Sequence, residues 1–175
     1  NFDMANLFDS VADDVFIGDA NSASIASPGY RVNTVGYDRN IARSNQGGQD
    51  VAILNGTAQG DENFTARVTG NPANNFGVLR SGPGTPLPFL NRAIGFTSVT
   101  ANSNGGNDRS YLFDGSGNDI LFASATSARL TGTRFEFTAN DFQRVNSNAN
   151  AGGNDQAILV DGANDDRLVG TGNRA

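Results

Sequence analysis

The chain has 175 residues, a net charge of −6 and a calculated pI near 4.4, and all 12 of its basic residues are Arg. It contains no Cys, His, Trp or Lys, which removes thiolate, imidazole and Schiff-base chemistry together with disulfides and zinc–thiolate sites. No basic run supplies phosphate contacts, so a nucleic-acid partner is not expected, and no apolar run approaches the roughly 18 residues needed for insertion into a membrane.

With 22 Gly and 23 Asn, the composition calls for turns and short strands, hence an all-β chain. The pattern Asp-x-(Ala/Ser)-x-Leu occurs four times, each followed by a second Asp eleven residues after the first. The pairs are Asp3 and Asp14, Asp50 and Asp61, Asp108 and Asp119, and Asp155 and Asp166. Copies start 47, 58 and 47 residues apart, which defines a 47-residue repeat whose second copy holds an 11-residue insertion. The units are 1–46, 47–104, 105–151 and a partial 152–175.

Within each unit the order of elements follows from local pattern. A leading strand places small and large apolar residues on one face: Ala5 and Leu7, Ala52 and Leu54, Ser110 and Leu112, Ala157 and Leu159. A turn follows at Asp9–Asp14, Gly56–Asp61, Asp114–Asp119 and Asp161–Asp166, then an apolar stretch such as Ile120, Leu121 and Phe122. A further strand is marked by Tyr37 with Ile41, Phe96 with Val99, and Phe142 with Val145. Glycine pairs then precede the next leading Asp at Gly47–Gly48, Gly105–Gly106 and Gly152–Gly153, giving the backbone freedom for a tight turn.

These elements predict a β-solenoid of the parallel β-helix kind, with about two coils per unit and Leu7, Leu54, Leu112 and Leu159 stacked in one internal column. The alternative is a β-sandwich array in which strands of neighbouring units pair. The insertion is placed near 70–89, where Pro72, Pro83, Pro86 and Pro88 argue against a regular ladder. It reads as a protruding loop, either a tolerated insertion or an adhesive one presenting Phe76, Leu79 and Arg80. Asn55-Gly56-Thr57 and Asn63-Phe64-Thr65 are formal glycosylation sequons.

The segment from Gly105 to Phe122 divides into two nine-residue strings in register. Through Gly115, Gly117, Asn118, Asp119 and Leu121, the second resembles the haemolysin-type (RTX) calcium repeat. The resemblance implies Ca²⁺ held by Asp119 with Asp114 and Asp108. Extended over the last two units, the candidate ligands are Asp108, Asp114, Asn118, Asp119, Asp155, Asp161, Asp165 and Asp166. Adjacent acids, Asp13–Asp14 and Asp165–Asp166, point the same way, because neighbouring carboxylates are costly without a cation. The competing reading is that each Asp caps a turn by accepting backbone amide hydrogens.

Over its whole length the 47-residue pattern is similar to repeat regions of very long bacterial cell-surface proteins. This implies an extracellular structural protein without catalytic activity, which builds a rod, fibre or surface layer by head-to-tail self-association into filaments, stiffened by Ca²⁺. Alternatives are an adhesin binding surface glycans through residues 70–89, or a polysaccharide lyase using Arg80 or Arg92 as base. The chain opens at Asn1 without a signal-like segment and both ends cut through the repeat, as expected of a processed product or a piece of something longer.

Overall fold

The computed structural model describes residues 2–83, 85 and 88–162. Among them are sixteen β-strands, one 3₁₀ turn at Pro72–Asn74 and no α-helix, so the all-β expectation holds. Unit 1 comprises β1 (Met4–Phe8), β2 (Val15–Gly18), β3 (Ser22–Ser27), β4 (Tyr30–Val35) and β5 (Arg39–Arg43). Unit 2 comprises β6 (Val51–Asn55), β7 (Glu62–Arg67), β8 (Phe76–Ser81), β9 (Leu90–Ile94) and β10 (Ser98–Asn102). Unit 3 comprises β11 (Arg109–Phe113), β12 (Ile120–Ala123), β13 (Ser127–Gly132), β14 (Phe135–Asn140) and β15 (Arg144–Asn148), and β16 (Gln156–Leu159) opens the fourth.

The strands form two mixed sheets, β1-β5-β9-β8-β7-β11-β15 and β16-β12-β13-β14-β10-β6-β2-β3-β4, which share one core. In every complete unit the first and last strands lie parallel and adjacent in one sheet, while the middle three make an antiparallel meander in the other. Between units every pairing is parallel: β5 with β9 and β2 with β6, then β7 with β11 and β10 with β14, then β12 with β16. The chain crosses between sheets after its first, fourth and fifth strands. Three is an odd number, so each unit starts on the sheet opposite to its predecessor.

This exchange corrects the single leucine column. Leu7 and Leu112 belong to the seven-stranded sheet, Leu54 and Leu159 to the nine-stranded one. The first three are fully buried at the same position of their strands, and Leu159, on the outermost strand, is half exposed. The antiparallel meanders also depart from the all-parallel coils of a β-helix; pairing between neighbouring units is what the sandwich-array alternative anticipated.

The insertion is not one loop. Residues 76–81 form β8, the central strand of its sheet, antiparallel to both β7 and β9, with Leu79 fully buried. The extra residues are divided between its two connections, 68–75 and 82–89, where unit 3 uses 124–126 and 133–134. Pro72, Pro83 and Pro88 lie in these connections, so the missing amide donors interrupt no ladder; Pro86 lies outside the described residues.

Junctions between units are sealed by aromatic and amide contacts. Phe16 packs on Phe96 and Phe64 on Phe142, each pair with centroids 6.1 Å apart, so the aromatic residue before a closing strand meets the meander of the preceding unit. On the outer face of the nine-stranded sheet, Asn140 Nδ2 donates to Asn102 Oδ1 at 3.0 Å, Asn102 Nδ2 to Asn55 Oδ1 at 2.8 Å, and Asn55 Nδ2 to Asp19 Oδ1 at 2.8 Å. This ladder joins all three units and occupies the sequon nitrogen of Asn55. Asn102→Ala removes two of its bonds and is expected to cost about 1–2 kcal/mol, measured by urea unfolding.

Candidate metal centre at the unit junctions

Each junction brings the turn after a leading strand against the Gly-Gly-x-Asp turn of the next unit. At the first, Asp9 Oδ2 accepts the amides of Asn45 (2.8 Å) and Gln46 (2.7 Å), and Asp13 Oδ1 accepts that of Gln49 (2.7 Å). Asp50 Oδ1 accepts the amide of Asp14 at 2.7 Å, its Oδ2 accepts the Ser44 hydroxyl at 2.6 Å, and Asp14 Oδ2 accepts the amide of Ser10 at 2.8 Å. The turn-cap reading is therefore met. It does not use every oxygen: Asp9 Oδ1 and Asp14 Oδ1 are buried with no hydrogen-bond partner.

The second junction repeats the design with one change. Asp108 Oδ1 accepts the amide of Glu62 at 2.5 Å, Asp61 Oδ1 that of Asn107 at 3.2 Å, and Thr57 Oγ1 donates to Glu62 Oε1 at 2.7 Å. Glu62 Oε2 and Asp108 Oδ2 are left buried and unpartnered. Strand register makes Val15, Asn63 and Ile120 equivalent, so Asp14 and Asp119 correspond to Glu62, and Asp13 and Asn118 to Asp61. The gapless alignment that set Asp61 beside Asp14 and Asp119 is thus off by one, because residues 56–62 precede the equivalent strand position Asn63, one residue more than 9–14 and 114–119 supply. Glu62, one of only two Glu in the chain, was missed for that reason.

At the third junction Asp155 Oδ1 accepts the amide of Asp119 at 3.0 Å, Asp119 Oδ2 that of Gly115 at 2.8 Å, and Asp114 that of Ala151 at 3.3 Å. Asp114, Asp119 and Asp155 each present an oxygen, all within 4.8 Å of one another, beside a cavity of about 180 Å³ floored by Leu121 and Leu130. Asn118 caps the facing turn instead, its Oδ1 accepting the amide of Asn154 at 2.8 Å. Of the ligands expected from sequence, the structure unites Asp114, Asp119 and Asp155. Asp108 belongs to the second junction with Glu62 instead, because its strand pairs with β7 and not with β12. Asp161 is exposed beyond β16, while Asp165 and Asp166 lie outside the described residues.

The electrostatics agree with the geometry. Burial pushes Asp50 above the usual carboxylate range, with the charges of Asp9 and Asp14 adding to it. Burial raises Glu62 and Asp108 likewise, helped by Asp108's charge on the first and Asp61's on the second. Asp114 and Asp119 are raised by burial and then by Asp155. At the third junction three carboxylates converge without a nitrogen or sulfur donor, an arrangement that could hold a hard divalent cation.

Comparison with protein-family models, with curated proteins and with solved structures finds no match for this chain. The chemistry of the junctions therefore rests on their own residues.

Proposed function

We propose that this chain is a segment of an extracellular structural repeat protein that builds a rigid rod, fibre or surface layer by adding units end to end, with Ca²⁺ at the junctions. The observation that carries the reading is the identity of the contacts within the array and the edges left at its ends. The first two junctions each join a pair of parallel strands in each sheet, the third joins β12 to β16, and among the described residues β1 and β4 at one end and β15 and β16 at the other have only one neighbour. Such edges are templates for another unit of the same kind, whether in the same chain or in the next copy. The solenoid character belongs to this proposal: strands stack along one axis as in a solenoid, although each layer is a meander. Junction acids suit the millimolar Ca²⁺ affinities of extracellular modules.

The test uses the free edge of β1. Asp9 N–H donates to Arg43 O and Arg39 N–H to Asp3 O, both at 3.1 Å, so in a parallel ladder the amide of Asn6 points away from β5 toward the open edge. Asn6→Pro is expected to leave the melting temperature nearly unchanged while abolishing end-to-end association seen by electron microscopy of concentrated protein in Ca²⁺. Wild-type protein that stays monomeric under those conditions, or a proline variant that associates as well as wild type, sinks the stacking mechanism.

A further inference from the structure

An acidic protein presents one face without an acidic side chain. Alternation along the seven-stranded sheet turns Leu7, Ala42, Ala93, Leu79, Phe64 and Leu112 inward, and the residues between them outward. Register aligns the outward residues in three rows across the strands. The first contains Arg39, Arg80, Arg109 and Arg144, the second is centred on Arg92, and the third holds Arg43 and Arg67. Seven of the 12 Arg thus share one face, and the only acid in these seven strands, Glu62, is buried on the other side. The one ion pair found among the described residues, Arg129 with Glu136 at 3.5 Å, is on the opposite sheet, so none of the seven has a carboxylate partner there.

Three of the guanidinium groups sit over aromatic rings. Arg92 lies 4.4 Å from the Phe76 ring centroid, Arg67 4.0 Å from that of Phe113, and Arg39 4.6 Å from that of Phe2. Arg92 Nε is buried without a hydrogen-bond partner at a groove of about 400 Å³ that it shares with Arg39, Arg80 and Phe76. Burial and the like charge of Arg43 pull Arg92 below its ordinary value, the mark of a cation lacking an anion. In the first row, Arg39, Arg80 and Arg109 stand on every second strand, about 10 Å apart by strand spacing.

We infer that this face binds an anionic polysaccharide, a glycan chain bearing carboxylate or sulfate groups, laid across the strands. Forked guanidinium donors match such anions in bidentate fashion, and the half-buried Phe76, Tyr111 and Phe113 add apolar surface for sugar rings. The strip is about 17 Å wide, the length of a five-residue strand. It is bordered at both strand ends by acid-bearing turns, with Asp3, Asp38 and Asp61 on one side and Asp9 and Asp114 on the other. A duplex with a charge every ~1.7 Å would press phosphates against those turns, whereas one glycan chain fits between them. The inference is independent of stacking and of Ca²⁺.

The experiment is calorimetric titration in EDTA and 50 mM NaCl with polygalacturonate, heparin, neutral dextran and single-stranded oligothymidylate. Polygalacturonate or heparin is expected to bind, which of the two separating carboxylate from sulfate recognition, and dextran is expected not to bind. The triple variant Arg39→Gln, Arg80→Gln, Arg109→Gln should bind about tenfold more weakly, with Arg129→Gln unchanged. In wild-type protein, which guards against a misfolded variant, binding should fall away at 300 mM NaCl and perturb tyrosine emission through Tyr111. Undiminished binding by the triple variant, binding of oligothymidylate alone, or no binding of either acidic glycan overturns the inference.

Discussion

Adding 10 mM CaCl₂ to chelator-treated protein at pH 7 is expected to raise its melting temperature by about 10 °C, well beyond a control matched in ionic strength with NaCl. A site of extracellular type is largely filled at that concentration and contributes about 2 kcal/mol, so several junctions acting together shift the transition by this amount. The sign of the metal-free pH dependence follows from the raised carboxyls, Asp50, Glu62, Asp108, Asp114 and Asp119. Protonation relieves the burial of charge, and the smaller mutual repulsion, that a cation would also relieve. Their stabilising contribution is complete below the ordinary carboxylate value near 4 and is lost as pH climbs through the raised values. Metal-free protein should therefore melt lower at pH 8 than at pH 4, and the calcium increment should shrink at pH 4, where protons compete. Equal melting with Ca²⁺ and with chelator at pH 7 removes the cation from the proposal, and a metal-free stability that rises with pH removes the carboxylate account.

Gly106→Ala should be the most damaging glycine-to-alanine change among the described residues, lowering stability by about 3 kcal/mol or more in urea unfolding. Gly106 has φ +95°, and a Cβ there would collide with the carbonyl oxygen of Gly60 in the preceding unit. Gly48 and Gly153 stand in the same relation to the carbonyls of Ala12 and Gly117. The second glycine of each pair thus serves the junction as well as the turn: it lets one unit's turn close against the last, bringing the leading Asp within reach of the amide of Asp14, Glu62 or Asp119. Gly117, with open space around it, is the control, and its replacement by Ala should cost less than 1 kcal/mol. Equal losses at the two positions would mean that close approach between units is not what fixes the glycine.

Much of the local structure was readable. Ser110 and Leu112 were assigned to one side of β11 by alternation, and both are buried. Ile41, Val99 and Val145 lie in β5, β10 and β15, although Tyr37, Phe96 and Phe142 precede those strands instead of joining them. Strand β8 escaped notice because its flanking prolines read as a loop, while its partners β7 and β9, which supply the hydrogen bonds, are remote signals. Glu62 escaped because one extra residue in a turn shifts an alignment without altering its appearance. The arginine face left one trace, the Arg39-x-Ile41-x-Arg43 alternation around inward Ala42, too short to reveal that five other strands contribute to the same surface.

What the sequence by itself determined was the repeat, the all-β character, the turns and the inward residues of each leading strand, because these depend on neighbours a few positions away in the chain. Only the tertiary structure decided which sheet each unit enters, which carboxylates meet at a junction and which arginines stand side by side. An odd number of crossings per unit sends alternate units to opposite sheets, and no periodicity in the sequence records that count.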